Sequence, residues 1–140
     1  MYARLVLVLG FIFSVGNATA ADWRYVTATA DAQIFIDVGS AVGQDGNKVK
    51  AWFLYEYGGP QTDEGSSNKY LSAKRLFYFD CFQHTMVMVQ GTRYEKQSGT
   101  GDIVSSYSVP LARAEFRDVV PETVGETMQY LACAFAVPRQ

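Results

Sequence analysis

The sequence predicts an α+β domain, an antiparallel β-sheet of about five to six strands with a C-terminal helix packed on it and one disulfide. Three observations lead there. Short runs of β-branched and aromatic residues recur between turn-rich segments from Trp23 to Val109. A single helical repeat follows near the C-terminus. Two cysteines, Cys81 and Cys133, stand far apart behind what reads as an export leader.

The leader comes first. Met1 to Arg4 carries one positive charge, Leu5 to Val15 is an almost continuous apolar run, and Ala18-Thr-Ala20 offers the small residues of a cleavage site. Spanning a bilayer takes roughly 20 apolar residues in a helix, and this run is shorter. Residues 1–20 are therefore expected to be a signal peptide and residues 21–140 the mature domain. No cysteine stands near the cleavage point, so a lipid-modified N-terminus is not predicted. The destination is the periplasm or the cell surface.

The chain carries a net charge of −2, and losing Arg4 makes it one unit more negative. That balance argues against nucleic acid, where a clustered basic face is expected, and against tight docking on anionic lipid. No later segment is long and apolar enough for stable membrane insertion. With 49% apolar residues, the mature part can bury a core of its own.

In an oxidising compartment an even cysteine count at wide spacing reads as a bridge, and Cys81 with Cys133 is the one intramolecular pairing. Closing so long a loop contributes roughly 4 kcal/mol in the chain-entropy model. The competing reading is a reactive thiol or a metal pair.

Strands are predicted over Trp23 to Ala28, Gln33 to Val38, Lys48 to Tyr57, Tyr70 to Cys81, Thr85 to Tyr94 and Ile103 to Val109, with a hairpin signal at Asp45-Gly46. In the third of these, Val49, Ala51, Phe53, Tyr55 and Tyr57 share one face, while Lys48, Lys50, Trp52, Leu54 and Glu56 share the other. Large apolar groups on both faces mark it as central. In the fourth, Leu71, Ala73, Phe77, Phe79 and Cys81 alternate with Ser72, Lys74, Tyr78 and Asp80. Gly58 to Asn68 has no apolar anchor and reads as a mobile, solvated loop. Pro121 to Phe135 reads as the helix, with Pro121 in its first turn and Glu122 and Glu126 placed early, where the helix dipole favours anions. Val124, Met128, Leu131 and Phe135 form its predicted buried stripe. Cys133 falls opposite that stripe, so either the helix ends before it or the helix is covered on both sides.

Signals for catalysis and cofactors are thin, and neither catalytic residues nor a metal site nor a cofactor is predicted. His84 is the sole histidine. Cys81-Phe-Gln-His84 has the spacing of half a zinc site, without a second pair to complete four ligands. A Ser/His/Asp set drawn from His84, Asp80 and a serine lacks any nucleophile-elbow sequence. Gly99-Thr-Gly101 lacks the rest of a phosphate-cradling pattern and reads as a turn. Asp37, Asp45, Asp80 and Asp102 follow no calcium-loop spacing. The dense aromatics, among them Trp52, Tyr55, Tyr57, Tyr70, Tyr78, Phe82, Tyr94 and Tyr107, read first as core and cross-strand pairs. A sharper reading places some tyrosines on an exposed face as a recognition surface, with Lys48, Lys50, Lys69, Lys74 and Arg75 as a modest basic patch beside them.

Several residues also fall in a familiar order. They are Trp23-x-x-Val26, Ile36-Asp37, Val49-x-x-Trp52, Tyr70-x-Ser72-x-Lys74 leading to Asp80-Cys81, then Tyr94, Val104, Pro121-x-x-x-Gly125 and Cys133. In this order the chain resembles the surface-adhesin protein E family of Gram-negative bacteria, over nearly all of its mature length. The resemblance implies an antiparallel sheet with a C-terminal helix and a bridge between Cys81 and Cys133. It also implies non-catalytic adhesion, with a host extracellular-matrix or serum protein as ligand. The alternative is a periplasmic envelope protein of housekeeping or assembly role that holds a protein partner. Ligand-contacting residues and oligomeric state are not assigned by the sequence.

Overall fold

In a computed structural model of the chain, the described residues are 20–138. The expected signal peptide lies outside them, Ala20 excepted. The strands are β1 (Trp23–Ala28), β2 (Ala32–Asp37), β3 (Val42–Gly43), β4 (Lys48–Thr62), β5 (Lys69–Asp80), β6 (Thr85–Tyr94), β7 (Ile103–Ser108) and β8 (Arg117–Asp118), followed by helix α1 (Val124–Phe135). Six strands lie side by side in the order β1-β2-β4-β5-β6-β7, each antiparallel to its neighbour. This meander is the predicted sheet. The short strands β3 and β8 were not expected. They fill edge positions beside β4 and β6 that β2 and β7 leave free.

Local chemistry sets the turns. Thr29 closes the β1–β2 turn, its Oγ1 accepting from the N–H groups of Asp31 and Ala32 at 3.3 and 3.1 Å. Between β3 and β4 the chain turns through Asp45, Gly46 and Asn47. The backbone is left-handed at Gly46 (φ 70°) and Asn47 (φ 60°), a conformation that glycine and asparagine tolerate best. At the β5–β6 turn, Asp80 Oδ1 accepts from the N–H groups of Phe82 and Gln83 at 3.1 and 2.8 Å. The Gln83 bond, helped by that of Phe82 and by nearby Lys48, holds the Asp80 carboxyl below its usual range against the opposing effect of burial.

Strand alternation builds the core. Ile34 and Ile36 of β2, Val49, Ala51 and Phe53 of β4, and Phe77 and Phe79 of β5 point to one side and meet Met128 and Ala132 of α1. Phe53 lies edge-on to Phe77 and Phe79, with ring centroids 5.7 and 5.9 Å apart. A smaller cluster of Ala32, Tyr57, Tyr70 and Ala73 sits at the other end of the same strands.

Three expectations are corrected. Gly58 to Asn68 is not a free loop: β4 runs on to Thr62. Four residues from Tyr57 to Pro60 stand opposite the single residue Leu71, between the pairs Glu56↔Ser72 and Gln61↔Tyr70. This bulge shifts the register, so Tyr70 rather than Leu71 is buried. Only residues 63–68 remain as a turn, and Asp63 within it is buried.

The helix also starts three residues later than Pro121, because Glu122 adopts a left-handed φ of 61°. Thr123 is its extended N-cap residue, and Glu126 reaches back to accept from the Glu122 N–H at 2.8 Å. Thirdly, the buried face is centred on Met128, Gln129 and Ala132 rather than Leu131. Gln129 is buried because its side-chain amide donates to the backbone carbonyl of Asp80 at 3.1 Å.

The last correction resolves the position of Cys133, which lies within α1 and one turn after Gln129. It is bonded to Cys81, 52 residues earlier, with 6.1 Å between the Cα atoms. The bridge pins α1 to the β5–β6 turn. Beyond the helix, Val137 pairs with Val42 and tethers the tail to β3.

Candidate functional site: a guanidinium groove beside the helix

The helix covers only part of the sheet face that it packs on. Toward β6 and β7 the face stays open and forms a groove of about 560 Å³, lined by residues of β5, β6, β7 and the β4–β5 turn and by none from α1. Register explains the lining. Phe53 stands opposite Arg75, Arg75 opposite Gly91, and Gly91 opposite Tyr107. One step along, Ala73, Arg93 and Ser105 align in the same way. Both rows point to the helix side.

Two guanidinium groups define the groove, each lying on a tyrosine ring. Arg75 is 4.1 Å from the Tyr55 ring centroid and donates from Nη2 to the Tyr57 hydroxyl at 2.9 Å. Arg93 lies 5.0 Å from the Tyr70 centroid. Tyr57 and Tyr70 meet edge-on at 5.4 Å, and the Tyr55 hydroxyl donates to Met128 Sδ at 3.5 Å. Such stacking is typical of arginine, whose planar group is weakly hydrated. Burial pushes the Tyr55 and Tyr57 hydroxyls above their ordinary pKa, so both stay protonated at neutral pH.

Arg93 is neutralised. It donates to the Asp63 carboxylate, which also accepts from Ser105 Oγ at 2.7 Å and Ser66 Oγ at 2.8 Å. The two serine hydroxyls and the guanidinium together hold the Asp63 pKa at about 2. The Asp63 bond in turn raises the pKa of Arg93. Arg75 joins no carboxylate: the ion pairs among the described residues are Arg24–Asp22, Lys48–Asp80 and Arg93–Asp63.

The residues singled out from the sequence divide between several places. Cys81 and Cys133 meet in the bridge, which withdraws both thiols from the alternative readings. His84 is exposed in the β5–β6 turn, and a shallow pocket of about 400 Å³ beside the bridge includes it with Glu126, Gln129 and Tyr130 but no serine. Among the described residues, no three His, Cys, Asp or Glu side chains gather as a metal site.

The five-member basic patch does not form as one surface. Alternation sends Lys48, Lys50 and Lys74 to the face away from α1 and Arg75 to the opposite one. On the face away from α1, Lys74 sits 5.4 Å over the Tyr94 ring. The same outer face carries Trp23, Tyr25, Phe35, Trp52 and Tyr78, with Tyr25 edge-on to Phe35 at 5.8 Å. Tyr25 and Tyr107 are exposed, at 57% and 52%, while Tyr57 and Tyr70 are buried. Sequence reasoning missed Asp63 and Arg93 altogether. Asp63 lay in a segment with no apolar anchor, and an ion pair between a turn and a strand 30 residues away leaves no local pattern.

Comparison with known proteins is consistent with this architecture. Solved structures of Haemophilus influenzae protein E match it at low sequence identity. One is 16% identical with a TM-score of 0.57, covering 84% of this chain and 90% of that one. Another, from a non-typeable strain, is 15% identical with a TM-score of 0.55, covering 81% and 80%. At such identities the likeness is one of fold. No curated protein sequence matches. The family model described as surface-adhesin protein E matches residues 23–134, from the first strand through the bridged cysteine of α1, and the chain belongs to that family.

Proposed function

We propose that this chain is an exported, non-catalytic binding domain of adhesin type, presented outside the cytoplasm, with a host extracellular-matrix or serum protein as its ligand. The observation that carries the reading is the family match over residues 23–134. A closed bridge, as expected in an oxidising compartment, accords with export. Exposed Tyr25 and Tyr107 and the open groove give a protein partner aromatic and charged groups of the kind that anchor interfaces.

One observation favours a second reading, a periplasmic protein that holds an envelope partner. Both cysteines of the sequence are occupied in the bridge, so neither is free to accept a lipid. Localisation separates the two readings. Protease treatment of intact cells should degrade a surface-displayed chain, whereas a periplasmic one survives until the cells are lysed. Immobilised matrix, serum and envelope proteins, probed with the purified disulfide-closed protein, then identify the partner. Failure of every matrix and serum protein to retain it would overturn the adhesin reading.

A further inference from the structure

We propose that the groove beside Arg75 is a carboxylate-binding site, which a protein ligand enters with an acidic side chain or its own C-terminus. The proposal deepens the protein-binding reading above and rests on it.

Three features converge. The first is an oriented donor without an acid. Arg75 has five N–H donors in a rigid fork, it is seated on Tyr55 and held by the Tyr57 hydroxyl, and it belongs to none of the ion pairs among the described residues. A fork fixed in advance loses little side-chain entropy when a planar carboxylate meets it in two parallel bonds.

The second feature is the floor. Gly91 stands directly opposite Arg75. A Cβ on Gly91 would sit 3.8 Å from Arg75 Cγ and 3.9 Å from Met88 Sδ, ordinary contact, so a larger side chain there would fill the floor beside Arg75. Glycine leaves the guanidinium reachable, with Ala73 and Met88 as apolar walls and Tyr107 exposed at the mouth. Its volume of about 560 Å³ is ample for a few side chains of a ligand.

The third feature is charge. Arg93 is balanced by Asp63, and Glu64 stands at the rim. Arg75 is therefore left without an ion-pair partner, in a groove whose charged groups, Arg75, Arg93, Asp63 and Glu64, balance one another. That balance suits a single monovalent carboxylate. A phosphate dianion or a sulfated polysaccharide needs several cations together, and strand alternation sends Lys48, Lys50 and Lys74 to the other face.

The test is NMR of the purified, disulfide-closed protein, following the Arg75 Nε–Hε signal and, in the variants that lack this arginine, the backbone amide of Tyr107 in the same groove. The probes are acetate, a short blocked alanine peptide carrying one glutamate, its glutamine counterpart, and that counterpart with a free C-terminal carboxylate. Acetate and at least one carboxylate peptide should shift the signal saturably, while the blocked glutamine peptide should not. Whichever peptide binds tells side chain from terminus as the source. Arg75→Gln should abolish binding, and Arg75→Lys, which keeps the charge and loses the fork, should weaken it by about tenfold. Gly91→Val keeps Arg75 and should also weaken binding, so the proposal stays testable if Arg75→Gln folds poorly. Absence of any saturable shift would overturn it, as would carboxylate affinity unchanged in Gly91→Val and Arg75→Lys, or tighter binding of sulfate than of acetate. If a matrix or envelope protein binds Arg75→Lys and Gly91→Val as well as wild type, this site is wrong and the binding reading stands. If the peptides bind and no protein does, the reverse holds.

Discussion

Arg93, on β6, donates to the buried carboxylate of Asp63, 30 residues earlier in the turn that follows β4. That contact fastens the β4–β5 turn to the far half of the sheet. With Ser105 bonded to the same carboxylate, β7 is tied in as well. A turn with no apolar anchor is ordered here by charge and hydroxyl groups together with its own backbone bonds, from Asp63 N–H to the Asn68 carbonyl and from Ser67 N–H to the Asp63 carbonyl, both at 2.8 Å.

This arrangement has a pH signature. The Asp63 pKa is lowered from 3.8 to about 2. A depressed carboxylate contributes stability that is fully present above its unfolded pKa and is lost as pH falls through the folded value. Wild type should therefore lose more thermal stability than Asp63→Asn between about pH 4 and pH 2, and be the more stable of the two at pH 7. Parallel melting curves across that acid range would refute the assignment. Asp80, lowered mainly by the backbone bond from Gln83, adds acid sensitivity common to both proteins.

The bridge between Cys81 and Cys133 closes a 52-residue loop. Replacing both cysteines by serine should cost roughly 4 kcal/mol of unfolding free energy, the chain-entropy value for a loop of that length. Urea denaturation and protease resistance measure it. Equal midpoints for variant and wild type would contradict the role given to the bridge.

Phe53 is fully buried between Phe77, Phe79 and the helix. Phe53→Ala removes an aromatic from the centre of the core and should destabilise by about 3–5 kcal/mol. Phe82→Ala, at a residue 74% exposed, serves as the control and should stay within about 0.5 kcal/mol of wild type. Chemical denaturation of both reads the contrast.

Ser72 has no accessible surface. Its hydroxyl donates to the Lys96 carbonyl at 2.5 Å and accepts from the Gly99 N–H at 2.9 Å, clamping the β6–β7 connection over β5. Ser72→Ala strands both backbone groups and should cost about 1–3 kcal/mol. Faster amide hydrogen exchange at Gly99 than at the core amides of β5 would locate the loss in that connection.

Much of this was legible in the chain. Alternation from Val49 to Phe53 identified the inward face of β4, and Thr85 to Tyr94 was delimited to the residue. Other features resisted local reading for identifiable reasons. The stripe through Leu131 followed ideal helical spacing, yet α1 is rotated to bury Gln129, because a polar amide can satisfy the Asp80 carbonyl and leucine cannot. Leu71 was expected inside by alternation, but it faces the four-residue bulge of β4 and is half-buried, while Tyr70 beside it is buried.

The sequence by itself determined the strands, the turns and the two sulfurs available to join them, since periodicity, turn chemistry and cysteine count are properties of neighbouring residues. Only the tertiary structure decided which charges are neutralised. Asp63, in the β4–β5 turn, meets Arg93 of β6, 30 residues away, and Arg75, on the strand beside Arg93, is left with tyrosines alone. Pairing across a sheet depends on bulges and on what the helix leaves uncovered, and these are settled only when the whole chain has folded.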